Sequence, residues 1–157
     1  MKSFSIISRS STQTRGWGRK LGNLLNGGET IGLTGELGSG KTCFVRGLAE
    51  GVEVDKNAWV RSPSFTLINE YDGKLPLFHI DLFRISSARE VDGLDLREYL
   101  FSDEVSVIEW FDHLPEGEVE EYLHIAFDHT DRNRRRLTFT GHGLLYQGIV
   151  DQLRRMG

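Results

Sequence analysis

Hydrophobic and polar positions along the chain change rhythm several times, and each change marks an element. Phe4–Ile7 predicts a short strand. From about Thr12 to Leu25 the period becomes helical, with Trp17, Leu21, Leu24 and Leu25 on one face. Ser10 and Gln13 have capping-box spacing at its start, and Gly27–Gly28 ends it. TIGLTG (30–35) reads as a buried strand, and Lys41–Glu50 as a helix packed through Phe44, Val45 and Leu48. SFTLINEY (64–71), LPLFHIDLF (75–83) and EVSVIEW (104–110) predict three further strands, the last rich in β-branched residues. Between them, Ser87 and Glu90 open a helical region toward Leu100, broken near Gly93. EYLHIAF (121–127) and RLTFT (136–140) read as antiparallel partners around a charged turn. A final helix, about Leu144–Arg155, places Leu145, Ile149, Leu153 and Met156 on one face.

Strands and helices alternate through the first part, which predicts an α/β sandwich with a mostly parallel sheet. The late strand pair adds an antiparallel edge. At 157 residues the chain suits one domain, long enough for a core without disulfides or metals. Net charge is −4, so no overall basic character argues for direct nucleic-acid binding. The single cysteine rules out an internal disulfide, and no apolar run reaches the ~18 residues of a membrane span. The apolar stretch at the N-terminus is too short for a signal peptide. A cytoplasmic protein, away from membranes, is expected.

Charge is nonetheless segregated. Between Glu98 and Asp131 there are eleven acids and no Lys or Arg, and Arg132–Arg136 then carries four arginines in five positions. Solvated faces account for both runs, with docking of a basic partner as the alternative for the acidic one.

GELGSGKT (35–42) fits G-x-x-x-x-G-K-[ST], the loop that cradles nucleotide phosphates. Four fixed positions match by chance in about one per cent of chains this long, and here a strand-like run precedes the loop and a helix-like run follows it. Gly35 and Gly40 let the backbone turn, and Gly38 frees the loop between them. Backbone N–H groups across Gly38, Ser39, Gly40, Lys41, Thr42 and Cys43 then face the anion at a helix N-terminus. Lys41 is expected on the β- and γ-phosphates of ATP and Thr42 on Mg²⁺.

Such a loop needs a carboxylate from a neighbouring strand, to hold Mg²⁺ or to position the attacking water. Asp81 ends LFHID and Glu109 ends VSVIE, so both emerge at the carboxyl edge of the sheet. Spacing alone does not divide the roles between them. His79 shares a strand face with Asp81, where it could orient that acid or serve as a satisfied core histidine, the blander and favoured reading. Cys43 sits at a helix N-terminus, which lowers a thiol pKa, though packing explains it as well. The histidines and the cysteine show no metal-ligand spacing.

GELGSGKT, SPSFTLINEY, HIDLFR and VIEW occur in this order. Together they resemble the TsaE (YjeE) family of small bacterial P-loop ATPases, from roughly Thr12 to Arg136. The resemblance implies a compact P-loop sandwich in three layers. It implies work with two partners, TsaB and TsaD, in forming N6-threonylcarbamoyladenosine at position 37 of tRNAs, with TsaD making the transfer and tRNA met indirectly. It implies Glu109 as the Mg²⁺-side acid and Asp81 in water activation or switch coupling. Trp110 is similar to the family's aromatic beside the nucleotide, and Ser62, Pro63 and Thr66 match a segment like a GTPase switch loop. The adenosine end implies Ser11, Thr12 or Thr14, with Arg132. Departures are Ser39, Cys43, Ser64 and Phe111, the last where a proline commonly follows the EW pair.

The expected chemistry is hydrolysis of Mg²⁺-bound ATP, weak alone and stimulated by TsaB–TsaD, with Arg61 and Arg84 as candidate charge-stabilising arginines or ion-pair partners. Two rivals share the loop. One is a nucleotide-sensing assembly subunit without significant turnover. The other is a small-molecule kinase with DRNRRR in a lid.

Overall fold

A computed structural model of the protein describes residues 1–63 and 67–157. Seven strands form one sheet: β1 Lys2–Ser8, β2 Thr30–Gly35, β3 Ile68–Tyr71, β4 Leu77–Asp81, β5 Val105–Glu109, β6 Tyr122–Asp131 and β7 Arg134–His142. Their order is β1-β7-β6-β2-β5-β4-β3. The four central strands run parallel, and an antiparallel pairing closes both sides, β6-β7-β1 on one and β4-β3 on the other. The expected edge is therefore present twice. The expected strand over 64–71 is seen as β3 only; Ser64, Phe65 and Thr66 lie outside the described residues.

Helices α1 (Ser11–Gly22), α2 (Lys41–Gly51) and α5 (Leu144–Met156) cover one face, and the short α3 (Ala88–Asp92) and α4 (Leu96–Leu100) the other. Alternation along the buried strands feeds both cores. Leu77, Val105 and Val107 pack under α1, α2 and α5, whereas Ile80 and Ile108 pack under α3 and α4. The result is the three-layer α/β sandwich that the alternation of elements predicts.

Local signals explain most boundaries. Ser10 accepts the Gln13 N–H and Gln13 in turn accepts from Arg9, so α1 starts where the capping spacing places it. It ends at Gly22, short of Leu25, which stays buried through turns that follow the helix. Ser87 caps α3, and Asp95, at φ +51°, breaks the helical region into two pieces. The face of α5 departs from expectation. Tyr146, Ile149, Val150 and Leu153 are buried, while Leu145 and Met156 are exposed. The Tyr146 hydroxyl accepts the Thr30 N–H at 2.9 Å, and that anchor sets the rotation of the helix.

The closest helix pair is α1 with α2. Gly18 lies on the backbone of α2 at Phe44 and Leu48, and a Cβ on Gly47 would occupy the place of the Arg15 carbonyl. Gly47→Ala is expected to lower stability by about 3 kcal/mol, as overpacking does, and the melting midpoint by about 10 °C. Gly16→Ala, where a Cβ meets nothing within 4 Å, should be neutral or gain about 0.5 kcal/mol from helix propensity. Thermal melts of the two variants beside the parent check the contrast.

Candidate functional site

The parallel register decides which side chains meet. Leu33 of β2 pairs with Glu109 of β5, and Glu109 pairs with Asp81 of β4. Both acids therefore reach the carboxyl ends of adjacent strands, beside the loop that follows β2. In that loop Gly38 and Gly40 take φ of +77° and +105°, conformations that glycine adopts without strain. Gly40 is the N-cap of α2 and offers no side chain, so the first-turn N–H groups face the loop mouth.

Lys41 is buried. Its Nζ donates to the Gly35 carbonyl and, at 2.9 Å, to the Glu36 carbonyl, and it lies 4.2 Å from the centre of the Trp110 ring. Burial pushes the ammonium below its ordinary pKa, while the charges of Glu109, Asp81 and Asp112 pull the other way. The Thr42 hydroxyl stands 3.2 and 3.3 Å from the two oxygens of Glu109. Glu109 is only 3% exposed, and its Oε2 lies 2.5 Å from His79 Nε2. Asp81 is occupied on both oxygens. Oδ2 accepts the Ser62 hydroxyl at 2.6 Å and Oδ1 the Phe83 N–H at 2.8 Å. Trp110, at φ +58°, ends β5 and turns its ring over Lys41. Phe111 then begins a single 3-10 turn and packs on Gly32, which fixes the path of the chain after Trp110.

Two clefts adjoin the loop. One, of about 430 Å³, gathers Lys41, Thr42, Ser62, Asp81, Glu109 and Trp110, with Phe83 and Arg84 at its edge. The other, of about 470 Å³, is lined by Ser11, Thr14, Gly38, Ser39, Gly40, Cys43 and Arg132. The residues expected at the adenosine end thus converge, with one correction. Thr12 does not line this cleft, because one helical step of about 100° turns it away from its neighbour Ser11. Arg132 belongs to a tight turn in which Arg134 pairs with Asp131 at 3.7 Å, and the two strands run directly into it, so the arginine run forms no lid. Pro63 is buried, and Thr66 falls outside the described residues. A separate cleft of about 820 Å³, beside Trp59 and Val60, includes no loop residue.

The donor set suits a hard cation with a polyphosphate. Thr42 and Glu109 supply oxygens on one side of the loop, which matches the few protein ligands that Mg²⁺ takes when phosphates supply the others. Among the described residues no cluster of three His, Cys, Asp or Glu forms a self-contained metal site. No described helix is long and apolar enough to cross a membrane.

Two features escaped the sequence reading. His79 contacts Glu109 rather than Asp81: it is opposite Val107 in the register, two residues before Glu109, and its ring reaches diagonally across. The tie between Ser62 and Asp81 crosses nineteen residues and carries no local signal.

A model of the family described as "Threonylcarbamoyl adenosine biosynthesis protein TsaE" matches residues 8–137. The chain is 39% identical to the tRNA threonylcarbamoyladenosine biosynthesis protein TsaE of Bacillus subtilis over 129 residues, 82% of this chain and 79% of that one. It is also 39% identical to its counterpart from Treponema pallidum, over 74% and 84% of the two chains. The crystal structure of Bacillus subtilis YdiB superposes with a TM-score of 0.81 at 31% identity, over 99% of this chain and 96% of that one.

Cys43 tests the geometry of the second cleft. Its thiol donates to the Ser11 carbonyl at 3.3 Å, and burial pushes its pKa up, against Arg46 and Arg15, rather than down as its place at a helix N-terminus suggests. A raised pKa leaves less thiolate at any given pH. Iodoacetamide at pH 8 should therefore label native Cys43 more slowly than the urea-unfolded chain, with the native rate rising at higher pH than the unfolded one. Mass spectrometry of timed samples reads this out.

Proposed function

The chain belongs to the TsaE family, and on that premise we propose that it is an ATPase serving formation of threonylcarbamoyladenosine in tRNA, stimulated by a TsaB–TsaD complex. The observation that carries this reading is the meeting of the Thr42 hydroxyl with the Glu109 carboxylate at the loop mouth, 3.2 and 3.3 Å apart. The cleft that would take the adenosine lies on the other side of the same loop.

ATP would lie across the loop, with its phosphates on the N–H groups of Gly38–Cys43 and its nucleoside between Ser11, Thr14 and Arg132. Lys41 trades its two loop carbonyls for oxygens of the β- and γ-phosphates. Thr42 and Glu109 would hold Mg²⁺, which when bound would neutralise charge on the phosphates. Water attacks the γ-phosphorus in line, the bond to the bridging oxygen breaks, and ADP and inorganic phosphate leave. The protein contributes position and fixed charge. Because both oxygens of Asp81 are already engaged, switch coupling suits it better than water activation. It ties Ser62 to the end of β4.

Dependence on a partner has its own support. Leu37 and Phe83 stand 75% and 50% exposed at the rim of a polar cleft. Apolar side chains there suit a protein surface that covers the site.

Steady-state ATP hydrolysis, alone and with TsaB–TsaD, tests the proposal. The complex should raise the rate at least ten-fold. Glu109→Ala should lose about 10²-fold or more of the stimulated rate, on the scale of other lost transition-state contacts, yet still bind nucleotide. Lys41→Ala should lose productive binding. Nucleotide-dependent association without stimulated hydrolysis would instead support a sensing subunit, and rapid turnover indifferent to the partners would overturn the assignment.

A further inference from the structure

Glu109 presents a problem that the loop alone does not solve. A carboxylate 3% exposed in a parallel sheet needs hydrogen-bond donors, or its charge is costly to bury. Thr42 stands 3.2 and 3.3 Å away, nearly equidistant from both oxygens, and so does not choose between them. A Thr42 hydroxyl engaged with a cation would also turn its lone pair, rather than its proton, to the site. His79 does choose. Its Nε2 lies 2.5 Å from Oε2 alone, and the ring is fully buried on β4, one strand away. Facing a carboxylate oxygen at that distance, Nε2 carries a proton and donates it. The second nitrogen, Nδ1, is buried and has no hydrogen-bond partner among the described residues. A buried imidazole with one nitrogen unsatisfied has a local cost of its own. A histidine kept only for packing would gain nothing from that arrangement, and an apolar residue of similar size would avoid it.

We propose that His79 is a positioning residue for Glu109: its Nε2–H pins Oε2, so that Oε1 is held toward Thr42 and the cation side of the loop. This rests on the reading of Glu109 as the Mg²⁺-side acid. Partners that orient metal-binding groups from behind typically change metal affinity or activity by about 10- to 100-fold when removed. The geometry also says which atom matters. The donor is the far ring nitrogen, so glutamine, whose amide nitrogen lies at a similar reach, can replace it. Asparagine is shorter and leaves its amide near the position of Nδ1.

The test compares His79→Gln, His79→Asn and His79→Leu with the parent in three measurements. The first needs no nucleotide. In ¹⁵N-resolved NMR of the protein alone, the His79 ring should show the Nε2–H tautomer with a strongly downfield proton, lost in Glu109→Gln. The second is binding of N-methylanthraniloyl-ADP with and without Mg²⁺. His79→Leu and His79→Asn should keep the Mg²⁺-free affinity within about two-fold, which also shows that they fold. The Mg²⁺ concentration for the half-maximal effect should rise by about ten-fold or more, and His79→Gln should recover most of it. The third is partner-stimulated hydrolysis, where kcat should fall in the same order with little change in KM. Wild-type Mg²⁺ dependence in His79→Leu, or failure of glutamine to do better than asparagine, overturns the proposal. If the parent does not hydrolyse ATP yet the Mg²⁺ effect on binding follows the predicted order, His79 keeps its role and the ATPase reading fails.

Discussion

The site depends on how closely α1 can approach α2. Gly18 and Gly22 on one helix face Gly47 and Gly51 on the other, and at each the neighbouring backbone occupies the space of a side chain. The approach does more than stabilise. The N-terminus of α2 is the end of the glycine loop, and the N-terminus of α1 carries Ser11 and Thr14, so the cleft lined by both is the gap between two helix starts. Moving the helices apart by the thickness of a methyl group widens that gap, while the loop, built within one chain segment, keeps its own shape. Cys43 bridging to the Ser11 carbonyl marks the same contact at its open end.

The second constraint is charge in a dry place. Lys41, Asp81 and Glu109 are each no more than 5% exposed, at the edge of a sheet whose interior is apolar. Isolated, each would cost several kcal/mol. Each instead has specific partners: loop carbonyls and the Trp110 ring for Lys41, Ser62 and a backbone N–H for Asp81, His79 and Thr42 for Glu109. Asp81 and Glu109 are thereby held by Ser62 and His79, which fixes their charges in place, the form of electrostatic stabilisation that costs least to reorganise.

Much of this was legible because it is local. The loop, its strand and its helix lie within about twenty residues, and the backbone geometry that the glycines permit is the same geometry that binds phosphate. The two strand-end acids were legible because parallel strands in an α/β sheet end on one side. What escaped was set at long range. Two G-x-x-x-G spacings, at Gly18–Gly22 and Gly47–Gly51, are the signal that could have announced the helix contact, but in soluble helices such glycines more often weaken than join. The face of α5 follows a hydrogen bond that the Tyr146 hydroxyl accepts from a strand more than a hundred residues away, so periodicity points to Leu145 where the structure buries Tyr146. The strand face that His79 shares with Asp81 offers that pair as one reading beside the favoured core histidine, and only the register of the next strand reveals Glu109 as its partner.

That register has a mechanical consequence. β4 is five residues long and carries both His79 and Asp81. Through Asp81 it holds Ser62, and Tyr71, which pairs with β4 from the edge strand, hydrogen-bonds the backbone of Arg61. Through His79 it holds Glu109 on β5. The segment 61–63 and the loop-side acid are therefore tied to the same short strand by contacts that do not involve the glycine loop. β4 is hydrogen-bonded on both sides, to β3 and to β5, which fixes His79 and Asp81 relative to both neighbours. The two acids on adjacent strand ends thus share one support, since each is hydrogen-bonded to a residue on β4 or is itself on it.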